Sequence, residues 1–481
     1  MDQKAGAQIS TRAFLQSTVI LFLLMITAGI LTMVIPAGLF DRVVQDGRES
    51  IIPGSYQATE SPAYPMWRWL TAPVEVLWAD GGITVIMIIL FLLMVGISFA
   101  ILDKSGILKS VIDRIVARLG HRKYVLLLVV SFFFMLIGAF FGIFEEVVPL
   151  VPLMIALSYS LGWDSLVGLG MSILATNMGF SAAVTNPFTI GVAQNIAGLP
   201  LFSGSGLRVV IFLVFYAILA VFLVRYARRI EKKPESSPVY NEEKHIKQHI
   251  LETADFSEKA SKPGRAVWWF VAFLVVILAV LLAGPLVPGL SDIALPLVGL
   301  LFLFGGVGAG LLSGAGGRIV RSAALEGIGG IAPGIPLILM AASIKHIVVS
   351  GGIMDTLLYR STSMVANTNP ITAAVIVFLL TLMVEFFISS GSAKAFLLIP
   401  ILIPLAELIG VTRQVSVLAY CFGDGFSNVV YPTNPVLLIS LGLTVVSYPK
   451  WIRWSLRLWL WVLLASLGFL ALAVVIGYGP Y

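Results

Sequence analysis

The chain reads Gly-Phe-Ser-Ala-Ala-Val-Thr-Asn-Pro at residues 179–187 and Gly-Phe-Ser-Asn-Val-Val-Tyr-Pro-Thr-Asn-Pro at residues 425–435. Each stretch interrupts a long apolar segment with glycine, proline and small polar residues. Because proline removes a backbone donor and restricts the residue before it, each Thr-Asn-Pro is predicted to break a helix. Two such breaks at matching positions of a membrane chain are typical of the substrate site of a secondary transporter.

The composition predicts an integral membrane protein. Of the 481 residues, 58% are hydrophobic and 12% are charged, with a mean hydropathy of +0.99, whereas soluble domains carry about 25% charged residues. The first apolar run is too long for the core of a signal peptide and is interpreted as a retained span. Runs that approach or exceed the ~20 residues needed to cross a bilayer lie at 14–38, 83–102, 208–226, 266–284, 290–312 and 458–477.

Lysine and arginine predict the orientation. Segments 1–12, 104–123, 225–265 and 450–457 are basic, whereas segment 39–80 carries more acidic than basic residues and three tryptophans. Since basic loops stay in the cytoplasm, we expect a cytoplasmic N-terminus and an outer C-terminus in a bacterial cytoplasmic (inner) membrane. The net charge of +6 then reflects these loops, and no nucleic acid partner is expected.

The similarity between the two halves extends beyond the motifs. Residues 105–114 resemble residues 351–360 at an offset of 246, and Gly162 matches Gly410 at an offset of 248. Chance similarity between apolar helices is the alternative, but ordered matches at a nearly constant offset favour duplication. The first copy is an amphipathic, strongly basic stretch and the second has few basic residues. The copies are therefore expected on opposite membrane faces, as inverted repeats.

These patterns predict an all-α polytopic membrane protein of about nine spans and two re-entrant hairpins. The first inverted repeat covers residues 1–228, with spans 14–38 and 83–102, hairpin 124–161, broken helix 165–198 and span 208–226. A cytoplasmic linker at 229–265 and a linking span at 266–284 follow. The second repeat covers residues 290–481, with hairpin 373–409, broken helix 414–444 and last span 458–477.

The two hairpins are predicted from the parity of the topology, which requires each to enter and leave on one face. Their tips, 142–146 and 389–394, would lie near mid-membrane, where irregular backbone is tolerated only against protein or a watery cavity. The alternative is two ordinary spans with an exposed turn, which would make Glu145 and Glu146 solvated loop carboxylates. Ionisable residues within a membrane are usually functional, which favours the hairpins.

The chain resembles the C4-dicarboxylate anaerobic carrier (DcuC-type) family of the ion transporter superfamily, especially its YfcC branch, which is named for basic amino acid antiport. The likeness covers nearly the whole chain. It implies two inverted repeats, each with a hairpin and a broken helix, a mobile transport unit, a dimerising scaffold and elevator-like movement. The stretches that carry it are 142–146, 203–208, 389–392, 413–415 and 422–427.

The charged residues suggest how a substrate would be held. A carboxylate in a low-dielectric cavity pairs with a cation or carries a proton, so Glu145 and Glu146 would bind a substrate amino or guanidinium group, a sodium ion or a transported proton. Lys394 aligns with Glu146 across the repeat, so either the tips approach each other with opposite charges or Lys394 extends to the interface. Asp424 is expected to be functional, and Glu385, like Glu407, is expected to pack at a helix end or interface.

The candidate site combines these charges with helix ends and small polar groups. Free N–H groups at hairpin tips and helix breaks suit a carboxylate, and hydroxyls, amides and unwound carbonyls suit sodium. The predicted substrate-binding residues are Glu145, Glu146, Asn186, Ser390, Gly391, Ser392, Lys394, Asp424 and Asn434. The predicted ion-coupling residues are Asn177, Ser181, Thr185, Ser389, Ser427 and Thr433.

The remaining motifs argue against other classes of function. The glycine-rich stretch 305–310 lacks the strand context and lysine of a phosphate loop, and close helix packing explains it better. With four scattered histidines and Cys421 as the single cysteine, no metal or other cofactor is predicted beyond Na⁺ or H⁺ as coupling ion. No nucleophile–base pair is apparent, so no enzyme is expected.

We therefore predict a secondary active transporter of a small charged metabolite. An amino acid, possibly basic, is the first choice and a C4-dicarboxylate the second. A channel-like pore or a membrane receptor without coupled transport is the alternative of another class. The expected partners are the substrate, the lipid bilayer and, from the resemblance, a second copy of the chain.

Overall fold

The computed structural model describes residues 11–45, 48–62, 64–79, 81–244, 263–283, 287, 290–332, 334–363 and 368–479. Residues 245–262 of the predicted linker thus lie outside the described residues. Helices dominate the described ranges, and seven of them are long and apolar enough to cross a membrane: Gly82–Lys104, Gly120–Phe141, Ser165–Ile196, Ser205–Lys232, Leu295–Leu312, Gly316–Ser350 and Tyr448–Val475. The predicted class, an α-helical polytopic membrane protein, is confirmed; the count of nine spans stays a prediction.

The first half contains ten helices within the described residues. They are α1 (Thr11–Val34), α2 (Trp67–Glu75), α3 (Gly82–Lys104), α4 (Ile107–Leu119), α5 (Lys123–Phe141), α6 (Val151–Ser160), α7 (Ser165–Leu169), α8 (Ala175–Ala182), α9 (Val192–Ile196) and α10 (Ser205–Lys232). Between α1 and α2, two antiparallel pairs form a small sheet region: β1 (Gly38–Leu39) with β4 (Gln57–Ala58), and β2 (Arg42–Gln45) with β3 (Arg48–Ile51).

Ten further helices form the second half of the described chain. They are α11 (Pro263–Ala283), α12 (Leu290–Leu312), α13 (Gly316–Ile331), α14 (Gly334–Ser350), α15 (Met354–Ser363), α16 (Pro370–Glu385), α17 (Gly391–Leu408), α18 (Arg413–Ser427), α19 (Pro435–Gly442) and α20 (Tyr448–Val475).

The interrupted helices lie at the centre of the bundle. In the most apolar 18-residue window of Ser165–Ile196 every residue is buried, against 33% in the windows of α10 and α20. At Gly425, α18 crosses α8 directly against the backbone of Ser181. The long uninterrupted helices therefore present most of their surface outward, and the two broken helices meet inside.

Glycines allow the hairpin arms to approach the broken helices closely. Gly138 of α5 lies against the backbone of Thr176, and Gly179 of α8 lies against the backbone of Met135. Gly423 brings α18 against α16 in the same manner. Small residues at such crossings let helix backbones pack closely where lipid provides no hydrophobic drive. Helices α5 and α16 thus each pack against one of the two broken helices.

The two ends of the segment 123–163 lie together. The ring centroid of Tyr124, at the start of α5, is 5.7 Å from that of Trp163, which precedes α7. Lys123 Nζ lies 2.5 Å from the carboxylate of Glu231 at the end of α10, and the Tyr124 hydroxyl donates to the same carboxylate. Over α5 and α6 the chain therefore leaves one end of the bundle and returns to it.

The small sheet region lies against α15. Arg42 Nη2 is 2.8 Å from Asp355 Oδ1, and the backbone N–H of Phe40 donates to Asp355 Oδ2 at 2.9 Å. The rings of Tyr56 and Tyr359 stack with centroids 4.0 Å apart. Helix α15 is thus beside the segment that precedes α3. Helix α4, whose sequence resembles that of α15, instead follows the other end of α3. The 23 residues of α3 span about 34 Å.

Candidate transport site

The first helix break is built by the Thr-Asn-Pro motif. Ala183 adopts the left-handed conformation (φ 35°) after α8, and helical structure resumes at Pro187. Asn186 Oδ1 accepts hydrogen bonds from the backbone N–H groups of Phe188 at 2.9 Å and Thr189 at 3.3 Å. Asparagine thus caps the new helix and proline occupies its first turn, where it needs no hydrogen-bond partner.

The second break uses the same residues in the same roles. Helix α18 ends at Ser427, and α19 begins at Pro435 with Asn434 Oδ1 accepting from the N–H of Val436 at 3.0 Å. Asn434 also donates to Asn428 Oδ1 at 2.9 Å. The breaks predicted from the repeated motif are both present, and their asparagine side chains are engaged with the protein itself.

The first hairpin tip brings two carboxylates towards this centre. Gly142 ends α5 with φ 70°, and any side chain there would collide with the Asn186 side chain. Glu145 follows as an exposed side chain, and Glu146 is half-buried, with one oxygen accepting from the N–H of Phe144 at 3.3 Å. The tip therefore packs against the first break, and the described residues do not fully cover its two glutamates.

A buried cluster of three charges (Glu385, Lys394 and Asp424) forms at the second hairpin tip. Lys394 Nζ is 2.8 Å from Asp424 Oδ1 and is also paired with Glu385. The three side chains are at most 1% exposed, and none of their charged atoms forms another hydrogen bond of regular geometry within the described chain. Two carboxylates thus share one ammonium.

The second tip contacts both broken helices. A side chain at Gly391 would lie 2.9 Å from Thr189 of the first and 3.0 Å from the Asp424 carboxylate of the second. The Tyr420 hydroxyl donates to the Gly391 carbonyl. Ser390 caps α17 by accepting from the N–H of Ala393 at 3.4 Å; it is exposed, as is Ser389, whereas Ser392 is half-buried.

The predicted ion-coupling hydroxyls mostly bond to nearby backbone. Ser181 donates to the Asn177 carbonyl at 3.2 Å, Ser427 donates to a carbonyl one turn back, and Thr185 donates to the Phe140 carbonyl at 3.0 Å. The Asn177 side chain is fully buried, and neither of its amide atoms has a partner among the described residues. Thr433 is half-buried in the second break.

One expectation about the charges was wrong. Glu385 is packed at the end of α16, as expected, and is in addition a partner of Lys394. Lys394 neither faces Glu146 nor extends to the interface, because its side chain is fully buried between Glu385 and Asp424. Glu385 ends α16 and Lys394 lies in the first turn of α17, so their contact joins the two helices across the tip. Glu407 forms a half-exposed pair with Arg413 at 2.5 Å.

The matches to known proteins cover nearly the whole chain, including the residues of the candidate site. The family model described as C4-dicarboxylate anaerobic carrier (DcuC) matches residues 14–475. A relative from Escherichia coli (strain K12), named "Putative basic amino acid antiporter YfcC", is 29% identical over 473 residues, covering 90% of this chain and 91% of the relative. An uncharacterised protein of Haemophilus influenzae is 24% identical over 412 residues, covering 84% of this chain and 77% of that protein.

Two solved structures also align with the chain. The YdaH transporter of Alcanivorax borkumensis covers 96% of this chain and 99% of its own at 17% identity and a TM-score of 0.44. MtrF of Neisseria gonorrhoeae, assigned to a class of antimetabolite efflux pumps, covers 94% of both chains at 18% identity and a TM-score of 0.42. Both tips and both breaks fall within the family match. The chain therefore belongs to the C4-dicarboxylate anaerobic carrier (DcuC) family, and it is a membrane transporter rather than an enzyme.

Proposed function

We propose that the protein is a secondary active transporter, an ion-coupled symporter or antiporter, of a basic amino acid. One observation carries the proposal: the two tips contact the same helix break, Gly142 against Asn186 and Gly391 against Thr189, and the second tip holds a cluster in which two carboxylates share one ammonium. Acidic groups therefore exceed basic groups at the two tips. A cationic side chain would offset the excess, which an anionic substrate would increase.

The second tip offers groups that would bind the α-carboxylate of an amino acid. The substrate α-carboxylate would bind at the start of α17, where Ser389 and Ser390 are exposed and the helix dipole is positive. Its amino and side-chain nitrogens would bind Glu145 and Glu146. Na⁺ or H⁺ would serve as the coupling ion, with Asn177 offering an unpartnered buried amide.

The proposal includes two inverted repeats, nine spans and two re-entrant hairpins. The contact of Tyr124 with Trp163 supports a hairpin at 124–161, since both ends lie at one face. The ion pair of Arg42 with Asp355 supports inversion: it puts α15 beside the segment before α3, at the opposite end of α3 from α4. With the basic loops in the cytoplasm of a bacterial inner membrane, the N-terminus is inside and the C-terminus outside. A homodimer with elevator-like movement completes the proposal.

A C4-dicarboxylate is the second candidate substrate. The description of the matching family names it, and the start of α17 offers a positive helix end for a carboxylate. In that case the glutamates of the first tip would bind the coupling ion or proton. The two candidates differ in the sign of the charge that the site must accept, so a direct comparison separates them.

Uptake into proteoliposomes tests the proposed function. The purified protein would be assayed for counterflow of radiolabelled arginine and succinate, under imposed sodium and pH gradients. We expect saturable, gradient-dependent arginine uptake that Glu145→Gln abolishes and the control Glu407→Gln retains. Uptake of succinate alone would support the dicarboxylate carrier. A non-saturable, gradient-independent flux would instead indicate a channel-like pore.

A further inference from the structure

Arg208 is a buried cation held by uncharged oxygens. It lies in the first turn of α10, is 1% exposed, and has no carboxylate within 4.0 Å in the described ranges of the chain. Its guanidinium donates to the Val184 carbonyl at 3.2 and 3.3 Å. It also donates to the carbonyls of Ser203 at 2.8 Å and Phe202 at 3.1 Å, and to the Tyr478 hydroxyl at 3.1 Å. Each of these hydrogen bonds therefore goes to an uncharged oxygen of the protein.

Val184 lies in the first helix break, between the end of α8 and Pro187. Counted from the first glycine of each motif, the corresponding residue of the second motif is Val430. The Val430 carbonyl accepts a hydrogen bond from the Tyr448 hydroxyl at 2.8 Å. Tyr448 begins α20, as Arg208 lies at the start of α10. In each break, one backbone carbonyl thus accepts from a side chain at the start of the following long helix, once from a cation and once from a neutral phenol.

Arg208 is also connected to the second broken helix. The Tyr478 hydroxyl accepts from its guanidinium, and the Tyr478 carbonyl accepts from the hydroxyl of Thr412, which caps α18, at 2.8 Å. The buried cluster carries a net charge of −1 when its three groups are ionised, and Arg208 brings the sum to zero. An uncompensated buried charge is strongly unfavourable, so the arginine offsets charge at the site although it does not touch the cluster.

We propose that Arg208 is a positioning residue of the transport site. It fixes the unwound backbone of the first break at Val184 and supplies the positive charge that limits how strongly the site attracts a cationic substrate. This inference rests on the proposed function, because only a cationic substrate would respond to the charge in this direction. Tyr448 performs the first role in the second half without the charge.

Three variants separate the two roles. Arg208→Gln should lower the KM for arginine by about threefold or more, as expected when one unit charge is removed from the protein interior, while the maximal rate falls. Arg208→Lys keeps the charge, so its KM should stay near wild type with a reduced rate. Tyr448→Phe should reduce the rate without lowering KM. A KM for arginine that rises or stays constant in Arg208→Gln would overturn the electrostatic role.

Hydrogen–deuterium exchange tests the positional role without any substrate. Arg208→Gln should increase deuterium uptake in residues 183–189, and Tyr448→Phe should do so in residues 429–435. Unchanged uptake at 183–189 would overturn this role. If Arg208→Gln does not fold, Tyr478→Phe removes one contact of the guanidinium and should increase uptake in the same segment; no increase would again overturn the role. If the wild type transports neither arginine nor succinate, the proposed function fails while exchange still decides the role of Arg208.

Discussion

The ammonium of Lys394 lies 2.8 Å from the carboxylate of Asp424, and both side chains are buried. Glu385 is the second partner of the same ammonium. The three residues belong to α16, α17 and α18, so one lysine joins both arms of the second hairpin to the second broken helix. The position of the hairpin tip therefore depends on a charge balance in the interior of the protein.

Loss of Lys394 should destabilise the protein strongly. Lys394→Met leaves two buried carboxylates without a counter-charge, which typically costs about 3–5 kcal/mol. Glu407→Gln is the matched control, since its pair with Arg413 is 42% exposed on the glutamate side and such pairs contribute under about 1 kcal/mol. Chemical unfolding in detergent micelles measures both. Equal, small effects would show that the cluster does not hold the tip.

A methyl group at Gly391 should disturb the site without removing any polar group. The added carbon would lie 3.0 Å from an Asp424 carboxylate oxygen and 2.9 Å from Thr189, so the tip must shift. We expect Gly391→Ala to lower the transport rate at least about tenfold, equivalent to 1.4 kcal/mol. Gly468→Ala is the control, because nothing lies near its added carbon in the interior of α20. Equal rates in the two variants would contradict the proposed closeness of tip and carboxylate.

Substitution of two asparagine caps distinguishes an effect on the free energy of unfolding from an effect on transport. Asn186 and Asn369 both cap a helix that begins with proline, and Asn369 accepts from the N–H of Thr372 at 2.9 Å. Each change to alanine should cost about 1 kcal/mol of unfolding free energy. Only Asn186→Ala should also impair transport, since Asn369 is an exposed residue at the start of α16. Parallel unfolding and uptake assays compare them, and equal transport in both would remove Asn186 from the site.

Glu75 should make stability depend on acid pH. A hydrogen bond from Arg68, with others from Thr71 and His346, lowers its pKa from 4.5 to about 2 against the opposing effect of burial. Because the folded pKa is below the unfolded value, the contribution is present above pH 4.5 and is lost as pH falls towards about 2. Since these groups are partly exposed, we expect less than about 1 kcal/mol.

The variant Glu75→Gln checks this dependence. Its unfolding temperature should fall less steeply than that of wild type between pH 4.5 and about 2. The exposed Glu60→Gln should follow the wild-type curve. Identical slopes in Glu75→Gln and wild type would mean that the ion pair with Arg68 does not hold α2 in place.

Local chemistry explains which features the sequence could predict. The helix breaks follow from proline and asparagine within a few residues of each other, and the repeated Thr-Asn-Pro motifs build both in the same way. The Glu385–Lys394 pair depends on how α16 and α17 pack against each other. The hydrophobic periodicity of the sequence does not predict that packing. The sequence marks Arg208 only as part of the 203–208 stretch, because its partner Val184 is 24 positions away. Charge partners across helices are set by tertiary packing rather than by neighbours in the chain.

Thermal unfolding of the detergent-purified protein with candidate ligands tests the central claim, that the site selects a cationic amino acid. A ligand of the folded state raises stability, by about 2.7 kcal/mol at 100 times its Kd. Arginine, lysine and ornithine would be compared with succinate and fumarate, at varied sodium and pH, in wild type, Glu145→Gln and Glu407→Gln. We predict stabilisation by the basic amino acids in wild type and Glu407→Gln, and its loss in Glu145→Gln. Stabilisation by succinate or fumarate alone would contradict the claim and identify a dicarboxylate site.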